Sequence, residues 1–146
     1  MLVRKAKESD FDGLMELYRQ LHPSDPSLEN GKDRVVFEQI LASPWLNLFV
    51  LEDEGEIRSS CYLNIIPNIT RAARPYAVIE NVITDEAERR KGFGKRVVAH
   101  ALEEAWAAGC YKVMLLTGSK RETTHAFYIA CGFSGDAKRG FIARRA

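Results

Sequence analysis

Apolar residues recur along this chain at two spacings, and the switches between them mark out the elements. Leu2-Val3-Arg4 is a short opening strand. Ser9-Asp10-Phe11-Asp12 then sets an N-cap serine ahead of an acid three residues later, a helix start. Phe11, Leu14, Tyr18 and Leu21 share one face of that helix, and His22-Pro23 with Asp25-Pro26 stops it, leaving His22 as an end cap. Val35, Val36, Gln39 and Ile40 give residues 32–42 a second amphipathic helix, closed by Ser43-Pro44.

The spacing then becomes that of strands. Residues 46–51 and 57–66 are β-rich and are joined by the acidic turn Asp53-Glu54-Gly55-Glu56, a hairpin signal. Residues 67–75 interrupt the pattern with the polar composition of a binding loop, and 77–84 resume it. Phe93, Val97, Ala101 and Ala105 next form an i, i+4 row, flanked by Val98, Leu102 and Trp106, in a helix that Gly109 ends. Residues 112–117 read as a strand covered on both faces, which makes strand, helix and strand a parallel crossover. Ser119-Lys120-Arg121-Glu122 reads as a capping box opening a last helix that runs through Cys131 and ends at Gly132. Phe133 and Phe141-Ile142-Ala143 supply closing strands. The implied class is α/β (α+β): a mixed, mostly antiparallel sheet of about six to seven strands with helices on both faces.

Composition narrows this to a single domain over residues 1–146 with 46% hydrophobic residues and a formal net charge of +1. No stretch has the length and apolarity of a membrane span or secretory signal, so a cytoplasmic protein is expected. Cys61, Cys110 and Cys131 lack C-x-x-C spacing and read as packing, with no metal site. The near-neutral balance argues against nucleic acid as a partner.

The candidate chemistry lies at Thr84-Asp85-Glu86-Ala87-Glu88-Arg89-Arg90-Lys91-Gly92-Phe93-Gly94-Lys95, between a strand and a long helix. Two glycines let backbone N–H groups approach a ligand, and the N–H groups and dipole of the helix start favour an anion. Arg89, Arg90, Lys91, Lys95 and Arg96 surround the turn and match phosphate oxygens. Neither G-x-x-x-x-G-K-S/T nor the third glycine of a dinucleotide fingerprint is present.

Arg89-x-x-Gly92-x-Gly94 in that setting resembles R/Q-x-x-G-x-G/A, the acyl-CoA signature of the GNAT N-acetyltransferases. Phe127-Tyr128-Ile129-Ala130-Cys131-Gly132-Phe133 is similar to the family's F-Y-x-x-x-G-F segment, and the element order agrees across nearly the whole chain. The resemblance implies acetyl-CoA (coenzyme A) as cofactor. Its pantetheine arm would meet backbone groups of Val82, Ile83 and Thr84, and its pyrophosphate would lie on Arg89, Arg90, Lys91, Gly92, Phe93, Gly94 and Lys95. Arg121 stands where many members carry Asn. Arg90 replaces the glycine of an R-G-K-G turn, so no positive φ is expected there.

Two residues fit the chemistry of acetyl transfer to an amine. Glu80, read as lying in one row with Val78 and Val82, is the candidate base, acting directly or through water, with partial burial strengthening it; the alternative is a carboxylate paired with an Arg. The resemblance makes Tyr128 the candidate acid for the departing thiolate; His125, one turn earlier on nearly the same face, reads as a cap at the helix start, with a substrate contact as the alternative. The activity implied is transfer of acetyl to a primary amine of a small molecule. Ile79-Glu80-Asn81-Val82 also resembles the glucosamine-phosphate N-acetyltransferases, making an amino sugar phosphate one acceptor. The rival is a non-catalytic acyl-CoA-binding or protein-interaction module with the same fold. The oligomeric state stays open, a homodimer included.

Overall fold

A computed structural model describes residues 1–146. The elements are β1 (Leu2–Lys5), α1 (Phe11–Leu21), α2 (Lys32–Ala42), β2 (Leu46–Asp53), β3 (Glu56–Ile66), the single turn α3 (Thr70–Ala73), β4 (Tyr76–Thr84), α4 (Phe93–Ala107), β5 (Val113–Met114) and α5 (Glu122–Ala130). The five strands lie in the order β1-β2-β3-β4-β5, antiparallel except for the parallel β4–β5 pair. By contacts along the chain, residues 1–115 and 116–146 form two compact units, and the whole sheet belongs to the first.

Alternation along β2 builds two half-cores. Leu48 and Val50 pack with Leu14 of α1 and Phe37 of α2, joined by Phe11, Tyr18, Ile40 and Tyr62. Phe49 points the other way and meets the edge of the His100 ring of α4 at 4.8 Å. Beside it on that face, Cys61 donates its S–H to the Val97 carbonyl at 3.6 Å, and burial pushes its thiol up to about 12. Phe93, Val97, Ala101 and Ala105, the row read from the sequence, are all buried. Removing a side chain such as Phe49 from water contributes roughly 2–3 kcal/mol. The hairpin turn carries Glu54 at φ 51° and Gly55 at φ 79°, the two left-handed residues of a type I′ turn that follows the twist of the strands.

A charged cluster ties β1 to α1. Arg4 donates to both oxygens of Asp10, at 2.7 and 2.9 Å, and to Glu52 at 2.6 Å, while the Lys7 N–H reaches Asp10 at 2.8 Å. Burial works to raise the Asp10 carboxyl, but the Arg4 and Lys7 hydrogen bonds outweigh it and hold the carboxyl below the usual range. Asp10, rather than Ser9, is therefore the organising residue, and α1 begins after it.

The sheet departs from expectation at its far end. Five strands form instead of six to seven, and residues 112–117 supply only Val113–Met114, both half-buried rather than covered on two faces. Phe133 and Phe141-Ile142-Ala143 are not strands: no residue beyond Phe133 makes a backbone hydrogen bond, and Phe141 is 86% exposed. An apolar run determines what a segment would bury, whereas a strand also requires an edge that accepts its hydrogen bonds. No helix is long and apolar enough to cross a membrane.

Candidate active site

β4 changes phase midway. Tyr62 pairs with Glu80 and Ser60 with Ile83, so two steps along β3 answer to three along β4. The extra residue forms a bulge, with Asn81 at φ 52°, a conformation Asn adopts more readily than most residues. Before the bulge Ala77 and Ile79 are buried while Val78 and Glu80 lie on the opposite face; beyond it, Val82 falls out of the Glu80 row. Glu80 is exposed, not partly buried as expected, because the bulge ends the alternation that placed it between two valines. It takes part in no ion pair, so the carboxylate–arginine alternative is not realised. Glu80 instead lines an open groove of about 520 Å³ with Tyr62, Asn64, Ile66 and Val78. Burial pushes the Tyr62 phenol above its ordinary value.

The edge of β4 that faces β5 is paired only at Ala77/Val113 and Val78/Met114, so residues 79–84, Val82, Ile83 and Thr84 among them, have no partner strand on that side. The chain then enters the basic turn. Asp85 accepts from the Ala87 N–H at 3.1 Å and pairs with Arg58 at 3.4 Å; Gln20 of α1 accepts from the Glu86 N–H at 2.9 Å. Arg90 has φ 67° and Gly92 φ 80°. The expectation that Arg90 needs no positive φ is thus wrong: the arginine occupies a left-handed position that costs a non-glycine residue about 1–2 kcal/mol.

Two left-handed residues in quick succession, Arg90 and Gly92, turn the chain onto α4. The backbone N–H groups of Arg89, Arg90, Lys91, Gly92, Phe93, Gly94 and Lys95 make no hydrogen bond within the chain, and no side chain caps α4. Phe93 is buried and contributes only backbone, whereas Arg89, Arg90, Lys91 and Lys95 are exposed; Lys91 pairs with Glu88. Unpartnered amides, a helix start and surplus cations suit a pyrophosphate, so the residues present fit coenzyme A.

In the second unit Tyr128 lies on α5, half-buried, with ring contacts to Phe127 at 5.1 Å and Phe133 at 6.2 Å. The capping box expected at 119–122 does not form. Arg121 occupies the N-cap without a side-chain bond, while Ser119 bonds the Arg121 N–H and Thr124 Oγ1. His125 Nε2 lies 2.7 Å from the Ser119 carbonyl, holding the entry to the helix.

The sequence reading missed a cationic–aromatic cluster. Arg71 and Arg74 lie over the Tyr111 ring at 6.0 and 5.5 Å, and Lys112 lies 5.3 Å from the centroids of both Tyr76 and Tyr111. The ladder bonds Tyr111 N–H to Pro75 O and Ala77 N–H to Lys112 O, each 3.0 Å, bring these strands together. None of the three cations has a carboxylate partner. Tyr76 stands in the Glu80 row, four residues or roughly 13 Å along the strand. The detectable signal was three basic residues flanking aromatic ones at the starts of two strands that the crossover makes neighbours. The loop that carries the arginines is α3, where Arg71, Ala72 and Ala73 have φ 57°, 62° and 57°, a helical turn of the left hand.

A model of the acetyltransferase (GNAT) family matches residues 11–133. Glucosamine 6-phosphate N-acetyltransferase 1 of rice is 31% identical over 140 residues, covering 90% of this chain and 79% of the relative. Among solved structures, an Agrobacterium tumefaciens protein is 50% identical with a TM-score of 0.94, covering 99% of this chain and all of its own. The glucosamine-6-phosphate N-acetyltransferase of Arabidopsis thaliana is 28% identical with a TM-score of 0.84, covering 97% of each chain.

Proposed function

Since this chain belongs to the GNAT acetyltransferase family and is an acetyl-CoA-dependent N-acetyltransferase, we propose that its acceptor is a primary amine carrying a phosphate, an amino sugar phosphate being the concrete case. One observation carries the reading: Arg71, Arg74 and Lys112 gather around Tyr76 and Tyr111 with no acidic partner, beyond the end of the groove that Glu80 lines. Uncompensated cations held over aromatic faces are suited to a dianionic phosphate. Two relatives named as glucosamine-6-phosphate acetyltransferases support the same acceptor class.

Bound acetyl-CoA supplies the acyl group as an activated thioester. Residues 1–146 act as one N-acetyltransferase domain. The unpaired edge at Val82, Ile83 and Thr84 offers backbone groups to the pantetheine arm, and the free amides of 89–95 hold the pyrophosphate. Glu80, open to the groove and free of ion pairs, takes a proton from the acceptor ammonium directly or through one water, leaving the amine lone pair to attack. The Tyr128 hydroxyl gives a proton to the departing sulfur. The protein works in the cytoplasm.

The test pairs phosphorylated primary amines with their unphosphorylated counterparts under saturating acetyl-CoA. We expect kcat/KM for the phosphorylated member to exceed that of its counterpart, and Arg74→Ala or Lys112→Ala to erase most of the difference. Equal kcat/KM for both members in the unaltered enzyme would refute the reading.

A further inference from the structure

The left-handed turn α3 lacks the residues that normally permit one. Arg71, Ala72 and Ala73 are consecutive and none is Gly, Asn or Asp, although L-residues visit this conformation singly and at a cost. Such a segment persists only when its surroundings over-determine it. Here one side chain ties the two ends of the turn together. The Asn68 amide donates to Thr70 O at 2.9 Å, to Thr70 Oγ1 at 3.1 Å and to Arg74 O at 3.2 Å, so it binds both ends of the turn. Within the turn, Arg74 Nε donates to Arg71 O at 2.9 Å, and the Ala73 N–H to Ile69 O at 3.2 Å. Pro67 and Pro75 bracket the segment and limit its other conformations.

The hand of the turn decides where Arg71 goes. Reversing it between the same ends would carry Arg71 around the opposite side of the turn axis and away from Arg74 and Tyr111. We propose that Asn68 is a positioning residue for the acceptor: by clamping α3 in its left-handed form it sets Arg71 and Arg74 together over Tyr111 as a two-pronged anion holder. It acts through the arginines and touches no reacting atom. The proposal rests on the phosphorylated-acceptor reading above and assigns the specificity for that phosphate to an uncharged loop residue.

Two measurements test it. In the absence of any substrate, trypsin cleavage after Arg71 reports the turn alone, since the Arg74–Pro75 bond resists the protease. Asn68→Ala should speed that cleavage several-fold, and an unchanged rate would overturn the clamp. In steady-state assays, Asn68→Ala should raise KM for a phosphorylated amine about tenfold, leaving kcat, KM for acetyl-CoA and KM for the unphosphorylated amine unchanged. Adding Ala72→Gly, which removes the left-handed penalty at that position, should restore much of the lost affinity. A rise in KM shared by both amines, a KM left unaltered despite faster cleavage, or no rescue by the glycine would overturn the positioning role. If the unaltered enzyme shows no preference for the phosphorylated amine, the acceptor reading fails, and with it the assigned role of Asn68; the cleavage rate then still reports separately on the clamp.

Discussion

Arg90 and Gly92 occupy the same region of backbone space two residues apart, yet only one is glycine, so substitutions there should move stability in opposite directions. At Arg90, φ 67°, glycine removes a left-handed cost of about 1–2 kcal/mol and adds roughly 0.5–1 kcal/mol of unfolded-state entropy. Arg90→Gly should therefore gain about 0.5–1 kcal/mol. At Gly92, φ 80°, no atom lies within 4 Å of where a Cβ would stand, so Gly92→Ala meets no clash and its cost is conformational, about 1 kcal/mol. At roughly 2–4 °C per kcal/mol for a chain of this size, the two variants should separate by about 5 °C in thermal unfolding followed by circular dichroism. Calorimetry completes the contrast. Arg90→Gly keeps the amides of 89–95 and should lose less than about 1 kcal/mol of coenzyme A binding, the value of an exposed charge. Gly92→Val disturbs the amides themselves and should weaken binding more than Lys95→Ala. Equal destabilisation by Arg90→Gly and Gly92→Ala would refute the strained turn, and undiminished coenzyme A affinity in Gly92→Val would refute the amide site.

The remaining expectations concern single groups. Because the Asp10 carboxyl is held below its ordinary range, its contribution is fully present above about pH 4 and is lost as pH falls through the folded value. Asp10→Asn should cost about 3 kcal/mol at pH 7, and urea titrations at progressively lower pH should show the gap to the unaltered protein narrowing once the pH is below about 4; a gap that does not change with pH would contradict this. Glu80→Gln, assayed with an amine of low basicity so that the acceptor's own ionisation does not intrude, should lower kcat about a hundredfold; an unchanged rate would leave water as sufficient base. Tyr128→Phe should lower kcat by a similar factor with its melting temperature preserved, whereas an unaltered kcat would reduce the phenol to packing.

What the sequence made legible was local. The row Phe93, Val97, Ala101 and Ala105, the hairpin turn at Asp53-Glu54-Gly55-Glu56 and the helix end at Gly132 each depend on residues close in the chain, and each forms. The misreadings depend on partners. Phe141 and Ile142 carry a strand pattern but pair with no strand, and Val82 leaves the Glu80 row because β3 and β4 disagree by one residue at Asn81. The same limit explains why Arg90 was misjudged: its φ is imposed by the path between β4 and α4 rather than by its own preference. Arg71, Arg74, Tyr111 and Lys112 share a site through one parallel pairing and one turn of unusual hand, neither of which leaves a periodic trace.

The burial of Cys61 beneath α4 has a practical side. Only a thiolate attacks a disulfide reagent; with the Cys61 thiol pushed up to about 12 and that of Cys110 also raised by burial, both are silent near neutral pH while the fold is intact. Cys131, partly exposed, is the one cysteine of the three that is not buried. Each acetyl transfer releases the thiol of coenzyme A, so one chromogenic disulfide counts turnovers over a small background of at most one protein equivalent. When the same background climbs to three equivalents, the reagent is reporting unfolding, and a loss of activity can be assigned to chemistry or to collapse in the same cuvette.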